Sequence, residues 1–289
     1  MRKECVDSSS EHRRLSVSLD DAIASTSVSP ILQTSHILSY FEKLHSTFFE
    51  RQISLYKFMS CENPIFFQNQ QFQPMTMETH NYMEKGSADL VATLLTENFP
   101  IFQNLSKTDK QKIFGPFAVR FINLHRCWLT SKYSLDNEKL AFHYRIYYHF
   151  DDIEKLFGEE AKREDIRKLI SPMHSILLRF SQKIGNLDLS EMERGSLIGL
   201  ILYQQMEVHE MKVTFASEAQ KNLLIALHTH LIQIHGITSG GLRFAQIVST
   251  LTDLEMISNS WNNMIILGNL AVPRYHEIFL LVSDTLSPK

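Results

Sequence analysis

The sequence predicts an all-α fold of about ten helices, and three features point that way. Large apolar residues recur at steps of three and four along most of the 289 residues. Breakers are scarce, with ten glycines and eight prolines, and no proline falls between Pro172 and Pro273. Thirdly, Phe99–Phe114 reads as a tight corner between two helices. Phe99, Phe102 and Leu105 step by threes, and Ser106 and Asp109 then precede a second apolar face at Ile113, Phe114 and Phe117. One helix therefore ends near Leu105, and the next is capped by Ser106 with Asp109 as its acidic capping partner.

Taken in order, residues 1–29 are rich in Ser, Asp and Arg and read as a flexible, solvated tail. Helical spacing begins at Pro30, with Ile37, Phe41, Leu44 and Phe48 on one face. Residues 60–85 interrupt it with Asn63-Pro64, a Gln-rich run and Pro74, the pattern of a loop. After Gly86 the period resumes at Leu90, Leu94 and Leu95 and runs into the corner. Pro100 and Pro116 each remove a backbone donor, so a helix begins or kinks at each. Between Lys132 and His143, Ser134, Asp136 and Asn137 stand among aromatics, the one place where a short β-hairpin is expected. Helical spacing returns at Leu169, Met173, Ile176 or Leu177, Phe180 and Ile184, then at Leu223, Leu227, Leu231 and Ile234. Gly185-Asn186 and Gly240-Gly241 are read as the breaks between helices. The longest run is Phe244, Ile247, Leu251, Leu254, Trp261 and Ile265, with Ser258 as its polar interruption.

Composition excludes several function classes. A formal charge of −3 and 44 % apolar residues argue for a buried core and against a basic nucleic-acid groove. Cys5, Cys61 and Cys127 form no CxxC pair, which argues against a disulfide framework or zinc module and for a reducing compartment. No apolar run approaches the roughly 20 residues that span a bilayer. No nucleophile elbow, P-loop or dinucleotide fingerprint appears. His228 and His230 point about 200° apart on a helix and His235 is five further on, so no shared ion is expected there. Asp151-Asp152-Ile-Glu154 resembles the aspartate-rich magnesium motif of all-α isoprenoid synthases, but Lys155 stands at the next acidic position and no second acidic motif follows. A solvated acidic helix cap is the plainer reading. No catalytic residue, metal site or cofactor is expected.

The corner, in this residue pattern, resembles the signature that joins the third and fourth helices of nuclear hormone receptor ligand-binding domains. The similarity runs from about Pro30 to Phe279 and is nearest the nematode-expanded branch related to the hepatocyte nuclear factor receptors. Leu187-Asp-Leu-Ser-Glu-Met-Glu193 looks like the acidic approach to that family's eighth helix, with Leu197, Ile198, Leu200, Ile201 and Leu202 buried behind it. Arg243 and the run after it are similar to the long tenth helix, and Tyr275-His-Glu-Ile-Phe279 to the activation helix.

The resemblance implies a three-layer antiparallel helical sandwich over residues 30–289 that binds an apolar, fatty-acid-like or sterol-like molecule, recruits coregulator helices and acts in the nucleus. It places Leu90, Leu94, Phe117, Phe121, Leu124 and Trp128 nearest the ligand. Tyr275, Glu277, Ile278 and Phe279 would edge the coregulator cleft, with Lys110 or Lys112 as its cation. Glu97 and Gly115 stand where the family's usual clamp carries basic residues, and Arg274 takes the first apolar position of the activation motif. Arg243, Ile247, Leu251 and Leu254 would form the face of a homo- or heterodimer. The family's DNA-reading module needs sets of four cysteine ligands; none is in this chain, so DNA would be reached only through a module outside it. Two alternatives stand beside this reading: a Mg²⁺-dependent isoprenoid-type enzyme, and a dimerisation module without ligand.

Overall fold

Three of the described helices start on hydroxyl caps. A computed structural model describes residues 30–60, 71–135, 138–152 and 163–271. They hold nine helices: α1 (Pro30–Glu42), α2 (Leu44–Met59), α3 (Met77–Asn98), α4 (Pro100–Gln103), α5 (Lys107–Lys132), α6 (Arg163–Leu187), α7 (Glu191–Val208), α8 (Val213–His235) and α9 (Ile237–Ala271). Three short strands, β1 (Gln73–Pro74), β2 (Lys139–His143) and β3 (Ile146–His149), make a small sheet. Ser106 Oγ accepts the Asp109 N–H at 3.1 Å and opens α5, so the corner forms where expected. Ser190 and Glu193 make a reciprocal capping box at α7, and Thr76 with Thr79 does the same at α3.

The layers follow from which helices are buried all round. On α5, every residue from Phe117 to Cys127 is buried, and on α7 every residue from Gly195 to Tyr203. A helix with no solvated face must sit between two others, so α5 and α7 form the middle layer. Helices α1–α3 cover one side; α6 and α9 cover the other, with α8 packed on α1, α7 and α9. The architecture is the all-α sandwich expected. A Cβ added to Gly195 would lie 1.9 Å from the Phe41 carbonyl oxygen, so only glycine lets α1 approach α7 this closely.

Three local expectations are corrected. The segment 60–85 is not all loop: α3 starts at Met77 and runs through Gly86. Its buried stripe opens with His80, Met83, Glu84 and Ser87, three of them polar residues that an apolar period passes over. The hairpin lies at 139–149 rather than 132–143, because Ser134 (φ 47°) serves to end α5, while Tyr144 and Arg145 (φ 59°) make the reversal. Its partner β1 pairs in parallel with β3, a strand too short to read from sequence. Finally, the break before α9 is Gly236, at φ 80°, and Gly240-Gly241 falls inside the helix. Pro100 opens α4, whereas Pro116 lies within α5. The tail 1–29 and the segment 272–289 lie outside the described residues.

Candidate functional site

Helix α5 presents two different faces to its neighbours. Phe117, Phe121, Leu124 and Trp128 turn towards α2: the Phe121 ring lies 4.7 Å from Phe48, and Trp128 4.6 Å from His45. Phe117, Phe121 and Leu124 are fully buried, Leu94 nearly so, and Leu90 and Trp128 pack at the edge of the same core. The other face carries Gly115, Ala118, Val119, Ile122, Asn123 and Arg126. With Glu84 of α3 and Trp261 of α9 it bounds a cavity of about 10 Å³, room for one water. Sequence reasoning missed this face because α5 is apolar on every side, so helical spacing does not single it out.

The polar end of that cavity is built by Arg126. Its Nη2 donates to Glu84 Oε2 at 2.5 Å, and its Nε donates to the Phe142 carbonyl at 3.2 Å. Its guanidinium also lies 4.2 Å from the Phe142 ring and 5.4 Å from Trp261. His143 follows Phe142, and its Nε2 sits 3.4 Å from the same Glu84 oxygen. Burial first, then the nearby Arg126 charge, hold His143 well below its ordinary pKa, so it stays neutral. His80, one turn before Glu84, stacks at a tilt on His143 with ring centroids 5.7 Å apart.

A second polar chain crosses the layers, and its geometry fixes the tautomers. Arg194 Nε donates to His45 Nδ1 at 3.2 Å, so the His45 proton is on Nε2. That proton is given to His125 Nδ1 at 3.1 Å, and His125 Nε2 then donates to Gln52 Oε1 at 2.9 Å. The same Gln52 oxygen accepts the Tyr144 N–H, and Gln52 Nε2 donates to Ser87 Oγ. Burial first and the adjoining cations second push His125 down to about 3, and burial first, then the His125 ring and the Arg194 charge, hold His45 well below 6.5. The chain joins α7, α2, α5, α3 and the hairpin without a buried imidazolium.

At the corner, Lys110 lies 5.9 Å from the Phe102 ring and Lys112 pairs loosely with Asp109 at 3.9 Å, leaving both at the surface. Glu97 is held by Arg51 at 2.8 Å, and Gly115 is buried on the cavity face, where no side chain could reach a surface cleft. Tyr275, Glu277, Ile278 and Phe279 lie outside the described residues.

The stripe expected to be a dimer face turns inward. Ile247 and Leu254 are fully buried in the core and Leu251 is partly so. Arg243 bonds both oxygens of Glu193 at 2.7 Å and the Leu187 carbonyl at 2.7 Å, pinning α9 to the start of α7. Burial raises the Glu193 carboxyl, but the bonds from Arg243 and Ser190 outweigh it and leave its pKa lowered. The outward large apolar positions of α9 are Ile237, Leu242, Met256, Ile266, Leu267 and Leu270. His228 packs its ring on Phe244, with centroids 4.9 Å apart. Asp151 pairs with Arg167, while Glu154 lies outside the described residues. No helix among the described residues is long and apolar enough to cross a membrane.

A family model described as the ligand-binding domain of nuclear hormone receptor matches residues 66–270. No curated protein matches the chain.

Proposed function

The chain belongs to the nuclear hormone receptor ligand-binding domain family, and from that premise we propose that it regulates transcription in the nucleus in response to an apolar, fatty-acid-like or sterol-like molecule. The family is one of ligand-regulated transcription factor domains and is generally non-enzymatic. The observation that carries the reading is the family match over the same helices that build the Ser106 corner and the two-sided α5. An apolar interior with a few convergent polar groups is the ordinary form of a small-molecule site, and Arg126 and Glu84 supply such a polar end. The ligand would shift the equilibrium of Tyr275–Phe279 towards a docked state that completes a coregulator groove. Moving that segment from mostly undocked to mostly docked takes roughly 5 kcal/mol of differential binding.

Glu277 would hold one end of a coregulator helix, and Lys110 or Lys112 the other, in place of the usual basic positions at Glu97 and Gly115. A fluorescent LxxLL peptide tests this by polarisation: binding to the unmodified chain and at least a tenfold loss in Glu277→Ala is the expected result. Unchanged affinity in that variant removes Glu277 from the cleft. A dimer, of whichever partner, would use the outward residues of α9.

A ligand-free dimerisation module is the second reading, and the small volume of the α3–α5–α9 cavity favours it. Native mass spectrometry after gentle purification separates the two, since a retained lipid adds mass to the chain. For the isoprenoid-type enzyme, two acidic clusters would have to face one another across a cavity. The described cluster of Glu138, His149 and Asp151 instead lies at the surface.

A further inference from the structure

We propose that His80, Glu84 and His143 form a buried site for a zinc-class divalent transition-metal ion between α3 and the hairpin. One ligand atom from each lies within 4.8 Å of the other two, and all three residues are buried. His80 and Glu84 are four apart on α3 and so project from one face. His143 ends β2 and brings the third ligand from a different element. Two imidazole nitrogens and one carboxylate oxygen are a set that zinc accepts while keeping a fourth position open. Calcium and magnesium ask for more oxygen atoms than the three residues offer.

His143 supplies the second, independent observation. It is wholly buried, yet neither Nδ1 nor Nε2 makes a hydrogen bond. A buried imidazole without a hydrogen bond is costly, and in either tautomer one of its nitrogens carries an unused lone pair. A metal ion between Nε2 and the Glu84 carboxylate turns that cost into a bond.

Arg126 sets the character of the site. It shares the Glu84 carboxylate, so a divalent ion there would leave excess positive charge in a buried place. An anionic fourth ligand, such as hydroxide, chloride or a carboxylate, answers that charge, and affinity falls below that of a structural zinc site. Arg126 keeps the Phe142 carbonyl as an acceptor if Glu84 turns towards the metal.

Chelator-stripped chain titrated with zinc against a chromophoric competitor, and with cobalt followed by its visible ligand-field bands, tests the proposal. One ion per chain, a raised urea midpoint with zinc, and a loss of about tenfold or more in affinity for His143→Gln are expected. Replacing His149 in the exposed Glu138–His149–Asp151 cluster should leave binding unchanged. X-ray absorption on the zinc-loaded unmodified chain covers the case in which His143→Gln does not fold: scattering from two imidazoles is the expected result. Absence of uptake, full binding by His143→Gln, loss of binding with His149→Gln, or a single imidazole each overturns the site.

Discussion

Arg126 joins α3, α5, the hairpin and α9 through one side chain, and its cost is concentrated in what it would leave behind. Removing it strands the Glu84 carboxylate, 5 % exposed, without its cation. Arg126→Met should therefore lower stability by about 3–5 kcal/mol, read as a drop in urea midpoint. Replacing Glu84 by Met as well should recover part of that loss. The buried imidazoles give stability a pH dependence of definite sign. An unfolded histidine takes its proton near pH 6.5, whereas folded His125 refuses it until about 3. Between those values the unfolded chain binds more protons, so stability is full above about pH 6.5 and falls as pH drops. Urea midpoints at about pH 5 should lie below those at about pH 7.5, with a shallower slope in His125→Gln. None of this was legible in sequence, since His45 and His125 are 80 residues apart and a lone histidine in an apolar run carries no sign of its partner.

Among the elements, what could be read was what local chemistry decides. The Ser106 cap was visible because hydroxyl, spacer and acidic residue sit within one turn, and Ser106→Ala should cost about 1 kcal/mol in chemical denaturation. The start of α3 was hidden because its first buried turns set only Met83 among His80, Glu84 and Ser87, and polar residues are buried only where distant partners satisfy them. The cavity-bearing face of α5 was not singled out, for a related reason. On a helix buried all round, apolar residues mark every side, so periodicity loses its power to say which side faces a cavity. Gly195→Ala places a methyl against the Phe41 carbonyl and should cost about 1–3 kcal/mol in the same assay. A null effect there would mean that α1 and α7 are not in contact in solution.

For the whole molecule, the fate of α9 separates assembly from stability. Leu267→Glu on its outward side should weaken a dimer seen by sedimentation velocity while leaving the urea midpoint within about 0.5 kcal/mol of the parent. Arg243→Ala should do the reverse, because Arg243 ties α9 to Glu193 and the Leu187 carbonyl inside one chain. The amino-acid order by itself determined the helical class, the capped corner and hence the family resemblance, since each depends on residues within a turn or two of one another. The three-dimensional packing alone decided which face of α5 borders the cavity, that Ile247 and Leu254 point inward, and that His80, Glu84 and His143 converge. Those are relations between segments distant in sequence, set by how whole helices stack, and no local pattern encodes them.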